Sequence, residues 1–230
     1  YDNEPADGRS YLLALRGARL DLINAEAAYL GSGPGEPSGI SWRKRRRDND
    51  PTSGATGQVV GSRIHHNYFG LYSYQAYGLR ILRNEVFANL YYGIDPHDDS
   101  INLEIAENQV HHNGKHGIIL SRGCANSVIR DNVVFDNAAH GIMLDRGSNN
   151  NQVYGNRVER NDDGIVIFQS SNNIVRNNRV TGNTVGMRLN ASVMPGDSFD
   201  AVTTGNHLLN NEIRNNREYG IYLYQRADRN

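Results

Sequence analysis

A chain of 230 residues with 24 basic against 25 acidic side chains has no overall field that would select a polyanion or a polycation, so any such preference must be local. Hydrophobic content of 38% with 24 glycines suits a narrow core with many turns, and no apolar run approaches the length of a membrane span. Cys124 is the single cysteine, which excludes an intrachain disulfide and leaves the fold to its hydrogen-bond ladder and core.

In chain order, Tyr11-Leu12-Leu13-Ala14-Leu15 and Arg19-Leu20-Asp21-Leu22-Ile23 read as strands of an incomplete first coil. The chain begins at Tyr1 rather than Met, as a processed or truncated piece would. A Gly/Pro/Ser loop from 31 to 39 follows, and Gly39-Ile40-Ser41-Trp42 resumes the pattern. The basic run Arg43-Lys44-Arg45-Arg46-Arg47 then leads into turn chemistry through Gly54. With no nucleic-acid fold beside it, the run marks no nucleic-acid site; a basic loop over one end of a groove and a solvated loop both stay open.

From Ser62 onward, glycines followed by an apolar residue recur at 70, 93, 117, 141, 164, 186 and 220, a period of about 22–24 residues with a longer last step. Two asparagine columns keep the same spacing, Asn84, Asn108, Asn132, Asn156, Asn178 and Asn211, then Asn89, Asn113, Asn137, Asn161, Asn183 and Asn216. This predicts an all-β chain folded as a right-handed parallel β-helix, one coil per repeat. A single domain over 1–230 is expected, with irregular first coils and a basic loop over 1–61, regular coils over 62–230 and an insertion near 192–204. The asparagines and glycines belong to the scaffold: stacked amides bond along a column, and both residue types suit a left-handed backbone.

At Gly93 the repeat gives up an aliphatic position for Asp95-Pro96-His97-Asp98. Alternation along the strand turns Asp95 and His97 away from the core, together with Tyr72, Tyr74, Ser121 and Asp145 on neighbouring rungs. An exposed, groove-like face is expected, with aromatic rings for sugar faces and arginines for carboxylates, which points to an acidic polysaccharide lying along the helix axis. Its expected substrate contacts are Tyr72, Tyr74, Asp98, Lys115, His116, His140, Asp145 and Arg146. His97 fits a general base whose tautomer is fixed by Asp95 or Asp98, with Pro96 stiffening the strand between. No metal set is assigned: Asp95, His97 and Asp98 lack further ligands, although His111, His112, His116 and His140 lie downstream. No cofactor is expected.

Tyr92-Gly93-Ile94-Asp95-Pro96-His97-Asp98 resembles the Tyr-Gly-x-Asp-Pro-His-Asp/Glu motif of the alginate (mannuronan) C-5-epimerases, and Lys115-His116-Gly117-Ile118-Ile119-Leu120-Ser121-Arg122 looks like the next coil of their periplasmic branch. The resemblance implies removal of the C-5 proton of a mannuronate within the polymer and its return from the other face. It makes His97 the base, Arg122 the neutraliser of the uronate charge, Asp95 the residue that positions His97, and Tyr92 the opposite-face proton donor, a role that water takes in some members. Ser121 stands where the secreted, calcium-dependent members carry an acid, and calcium-binding nonapeptides are lacking, which implies the calcium-independent type. A periplasmic or secreted location follows by resemblance, with possible export-complex partners whose surface is not legible. Two other readings compete: a polyuronate lyase using the same carbanion, and a non-catalytic carbohydrate-binding β-helix that has no need of His97.

Overall fold

The computed structural model describes residues 9–34, 38–44, 53–192 and 202–230. They form a right-handed parallel β-helix: each coil contributes one short strand to each of three sheets, of nine, eight and eight strands. Every strand pairs in parallel with its counterpart one coil away. Most strands of the second and third sheets are only three residues long, with one residue turned inward. Val110, Val134, Val158 and Val180 form such a column, each 0% exposed. β-Branched residues fit these positions because their stiff side chains stack along the pleat. Ile94, Ile118 and Ile142 do the same in the first sheet, and burying each such side chain contributes about 1.5–3 kcal/mol.

The described residues from 9 to 30 already contribute one strand to each of the three sheets. Leu12–Leu15, Arg19–Ile23 and Glu26–Ala28 each enter a different sheet. Gly39–Arg43 continues the first sheet, as its sequence predicts. Arg45–Arg47 and the insertion core from Val193 to Ser198 lie outside the described residues. Among those described, no helix is long and apolar enough to cross a membrane.

The asparagine columns are hydrogen-bonded ladders. Nδ2 of Asn84, Asn108, Asn132 and Asn156 each donates at 2.9 Å to Oδ1 of the asparagine one coil on. That same Oδ1 also accepts the previous coil's backbone N–H, as in Asn108 N to Asn132 Oδ1 at 2.9 Å. A third ladder runs from Asn151 through Asn173 and Asn206 to Asn230; it is hidden from the period count because Ser127 and then Leu103 occupy its earlier rungs.

The backbone roles differ from expectation. Left-handed φ falls on the residue before the ladder asparagine, as at Arg83, Glu107 and Asp131, and not on the ladder residue itself. The repeat glycines are likewise not left-handed. They are required for space: a Cβ on Gly117 would stand 2.6 Å from Val134 Cγ1 and 2.8 Å from the Gly141 carbonyl oxygen.

Candidate active site

The site is built on the first sheet, where Ile94–His97 lies between Phe69–Tyr74 and Ile118–Ser121. Asp95 pairs with Tyr72, and His97 with Tyr74 on one side and Ser121 on the other. Towards the later coil, pairing is kept only at Ile94 and His97, because Pro96 has no N–H to donate. Asp95 and His97 face away from the core, which takes Ile94 instead.

That face is covered, which corrects the exposed sheet expected from alternation. Asp95 is 1% exposed, Asp145 2% and Tyr72 9%. The Arg43 guanidinium carbon stands 4.7 Å from the Tyr72 ring centroid, Tyr72 stacks on His97 at 5.7 Å, and Arg146 folds back on Asp145 with Nη2 2.9 Å from Oδ2. Ser121 Oγ donates to the same Asp145 oxygen at 3.1 Å. Outward side chains only about 4.8 Å apart along the stack cover one another.

His97 Nδ1 is bonded to Asp98 Oδ2. Asp98 adopts φ 40°, and this turn sets its carboxylate beside the ring of the residue before it. Nε2 is left for a ligand. Asp95, the positioning residue implied by resemblance, makes no such bond: its Oδ1 is buried without a hydrogen-bond partner, and it acts on His97 through charge. Of the two carboxylates that the sequence offers for holding the imidazole, Asp98 is the one bonded to it. Burial alone would lower the His97 pKa, but the Asp98 hydrogen bond and the charges of Asp95 and Asp98 outweigh it and the opposing Arg122, so the net direction is up. Burial pushes Asp95 up to about 7, against the pull of His97 and with the help of Asp145 and Asp98. For Asp98, burial is outweighed by the His97 bond and the charges of His97, Arg122 and Arg146, which hold its carboxyl below the usual range.

Arg122 and Arg146 occupy the turn position of Asp98 in the next two coils, with φ 58° and 44°. Arg122 is exposed, and among the described residues its side chain has no hydrogen bond or ion pair. A free guanidinium one coil from a histidine can take a carboxylate through two parallel bonds.

Tyr92, Lys115, His116 and His140 lie at the other end of these strands. The rings of Phe69, Tyr92, His116 and His140 stack in a column, with centroids 5.3, 5.2 and 4.7 Å apart. Lys115 Nζ stands 5.8 Å from the centre of Tyr92. Burial raises the Tyr92 pKa to about 12, with help from the charges of Asp95 and Asp145, so its phenol stays protonated. Burial lowers His116 to about 3 and His140 to about 4, keeping both neutral. The column ends on Asp163, whose Oδ2 lies 3.2 Å from His140 Nδ1 and whose Oδ1 accepts from Arg188 Nη2 at 3.0 Å. A cavity of about 260 Å³ opens between His140, Asp145, Arg146 and Arg188. Tyr74 sits beside His97 in the ladder, half-buried, with the Arg43 guanidinium 5.9 Å from its ring.

Sequence reasoning missed Arg43, Phe69, Asp163 and Arg188 as site residues. Arg43 is the fourth residue after Gly39 and pairs with Tyr74, so the column rule that found His97 would have found it too. Its place at the head of the basic run masks that position in the sequence.

A family model described as periplasmic copper-binding protein (NosD) matches residues 47–195, more than half of the chain. A mannuronan C5-epimerase of Pseudomonas putida is 35% identical over 115 residues, which cover 44% of this chain and 21% of the relative. One from Pseudomonas fluorescens is 36% identical over 106 residues, covering 43% and 19%. The crystal structure of the periplasmic alginate epimerase AlgG superposes with a TM-score of 0.82 at 26% identity, over 98% of this chain and 63% of that one. The chain thus spans less than two thirds of the length of the relatives it matches. The curated relatives named here are mannuronan C5-epimerases, and the chain itself belongs to the family described as periplasmic copper-binding protein (NosD).

Proposed function

We propose that the protein is a polymer-level mannuronan C-5-epimerase acting on an alginate-type chain in the periplasm. The observation that carries this is His97: its Nδ1 is bonded to Asp98, its Nε2 is free, and the unpaired Arg122 guanidinium stands one coil away. The likeness to mannuronan C5-epimerases and to AlgG over this part of the chain supports the substrate and the compartment.

In this reading the polymer lies along the first sheet, crossing Tyr72, Tyr74 and the Arg122–Arg146 turns. Arg122 binds the uronate carboxylate, removing its charge and lowering the energy of the enolate-like dianion that follows. His97 Nε2 takes the C-5 proton as that C–H bond breaks, and the electron pair moves into the carboxyl group. The neutral Tyr92 phenol returns a proton to C-5 from the opposite face, which yields guluronate; Tyr92 then regains a proton from solvent and His97 gives its proton up to solvent. Asp95 and Asp98 hold and charge-stabilise the imidazolium between these steps. The copper of the family description finds no fitting donor set on this face: the His97 Nδ1 is engaged by Asp98, the His116 Nδ1 accepts the His140 backbone N–H, the Asp163 beside His140 is already paired with Arg188, and Cys124 is buried in the core. No step is routed through it.

The test is proton NMR of polymannuronate incubated with the protein in D2O. Guluronate signals carrying deuterium at C-5 are expected, with a 10²–10⁴-fold loss in His97→Ala, of the order set by general-base catalysis. Unsaturated chain ends in place of guluronate would make the protein a lyase. Binding without turnover, unchanged in His97→Ala, would make it a carbohydrate-binding β-helix.

A further inference from the structure

The cavity downstream of His97 carries groups that proton transfer leaves unused. Its volume of about 260 Å³ lies between Met143 and Asp145 on one coil, Val166 and Phe168 on the next, and Arg188 and Asn190 on a third. These side chains stand on the outward side of the first sheet, because the alternate positions, such as Leu144, Ile167 and Leu189, fill the core. The three coils are the second, third and fourth after that of His97. At about 4.8 Å per coil, the cavity is centred about 14 Å along the stack from His97.

Two buried atoms of this lining lack partners among the described residues. They are Arg188 Nε, which can only donate, and Asn190 Oδ1, which can only accept. Buried polar atoms are seldom left so, and a donor and an acceptor two residues apart on one strand suit a ligand group that both accepts and donates. Hydroxyls do both. Phe168 pairs with Asn190 from the rung before and is half-buried, so it offers an aromatic wall of the kind that packs on the apolar face of a sugar.

Charge turns a carboxylate away from this place. Arg146 Nη2 is 2.9 Å from Asp145 Oδ2, and Arg188 Nη2 is 3.0 Å from Asp163 Oδ1, so each arginine already faces an acid. Asp163 is fully buried and also stands 3.2 Å from His140 Nδ1, which fixes the Arg188 guanidinium against the wall of the cavity. Asp162 lies beside His140 and Asp163 and adds a further negative charge. Arg122 has no such partner, so a uronate carboxylate is drawn there and not here.

We propose that this cavity is a sugar subsite that takes the ring hydroxyls of one polymer residue, three sugars away from the one at His97, with that residue's carboxylate turned outward. The count follows because an extended 1,4-linked pyranose advances by about the height of one coil, about 4.8 Å. Arg188 Nε–H donates to one hydroxyl oxygen, a hydroxyl donates to Asn190 Oδ1, and Phe168 lies against the ring. Asp163 is the positioning residue, acting through Arg188. The subsite rests on the reading of a polyuronate lying along the first sheet. It sets the register of the chain and the length that binds, and it takes no part in proton transfer.

The test compares mannuronate oligomers of three and nine residues by steady-state epimerisation and by calorimetry. A trimer with any of its sugars at His97 stops short of the cavity, and a nonamer reaches it. Asn190→Ala and Phe168→Ala should each raise KM and Kd for the nonamer about three- to tenfold, as the loss of one hydrogen bond or one ring contact does, with the loss confined to the nonamer. Arg188→Lys keeps a cation against Asp163 but removes Nε–H, and should weaken the nonamer to the same extent. The ratio of variant to wild type should stay constant as salt is raised, because no variant removes charge. Circular dichroism and thermal denaturation check that each variant keeps its fold. The subsite is overturned if nonamer affinity is unchanged in the folded variants, if trimer and nonamer lose equally, or if the loss fades with salt. Nonamer binding without turnover would sink the epimerase reading, while the variant ratios still judge the subsite. Normal turnover with unchanged ratios would overturn the subsite alone, and wild-type protein that neither binds nor converts the nonamer would overturn both.

Discussion

Asp95→Asn tests the electrostatics of the site through stability. The Asp95 carboxyl is 1% exposed, its Oδ1 lacks a hydrogen-bond partner, and burial raises its pKa from 3.8 to about 7. The folded protein therefore keeps this proton between about pH 4 and 7 while the unfolded chain releases it. Stability attributable to this group is fully present below pH 3.8 and is lost as pH rises through the folded value of about 7. At about 1.4 kcal/mol per pH unit the loss comes to about 4 kcal/mol, an upper bound because a charged His97 offsets part of it. Asparagine never ionises. It brings a pH-independent offset from burying its NH2 group, about 1–3 kcal/mol if that group finds no partner. Urea denaturation of both proteins from pH 4 to 8 should show the variant gaining on the wild type by up to about 4 kcal/mol across that range. A stability difference that stays constant from pH 4 to 8 would refute a buried, reluctantly ionised Asp95.

Three further outcomes are expected. In the epimerase assay, activity should rise with pH through a His97 pKa above its ordinary 6.5, because the base must be neutral; Asp98→Asn removes the bonded charge and should move that limb to lower pH, with reduced kcat. Asn132→Ala strands the Asn108 N–H and takes the side-chain donor from the Ile105 carbonyl, while the Asn108 and Asn156 side-chain amides each lose one partner. At about 1–3 kcal/mol per stranded buried group, thermal denaturation should show a loss of 3 kcal/mol or more, and a clearly smaller one for the part-buried Asn211→Ala. Gly117→Ala should cost about 1–3 kcal/mol by overpacking against Val134 and the Gly141 carbonyl, measured in the same way.

The repeat was legible because a solenoid writes its geometry into the period. Each coil must place a glycine where backbones nearly touch, an asparagine where a turn needs bonding along the stack, and aliphatics where the core lies. Asp95-Pro96-His97-Asp98 stood out because it broke that rule, and alternation gave the correct side of the sheet for it. Other features required neighbours from distant coils. The side chain that holds His97 depended on the turn at Asp98, and whether the face was open depended on Arg43 and Arg146 folding across it. The ring column ending on Asp163 needed five coils in register. Sequence by itself determined the fold and the side on which chemistry sits, since both follow from periodicity. Tertiary structure alone decided burial, partners and protonation, because these depend on which charges and rings lie within a few ångströms across coils about 23 residues apart in the chain.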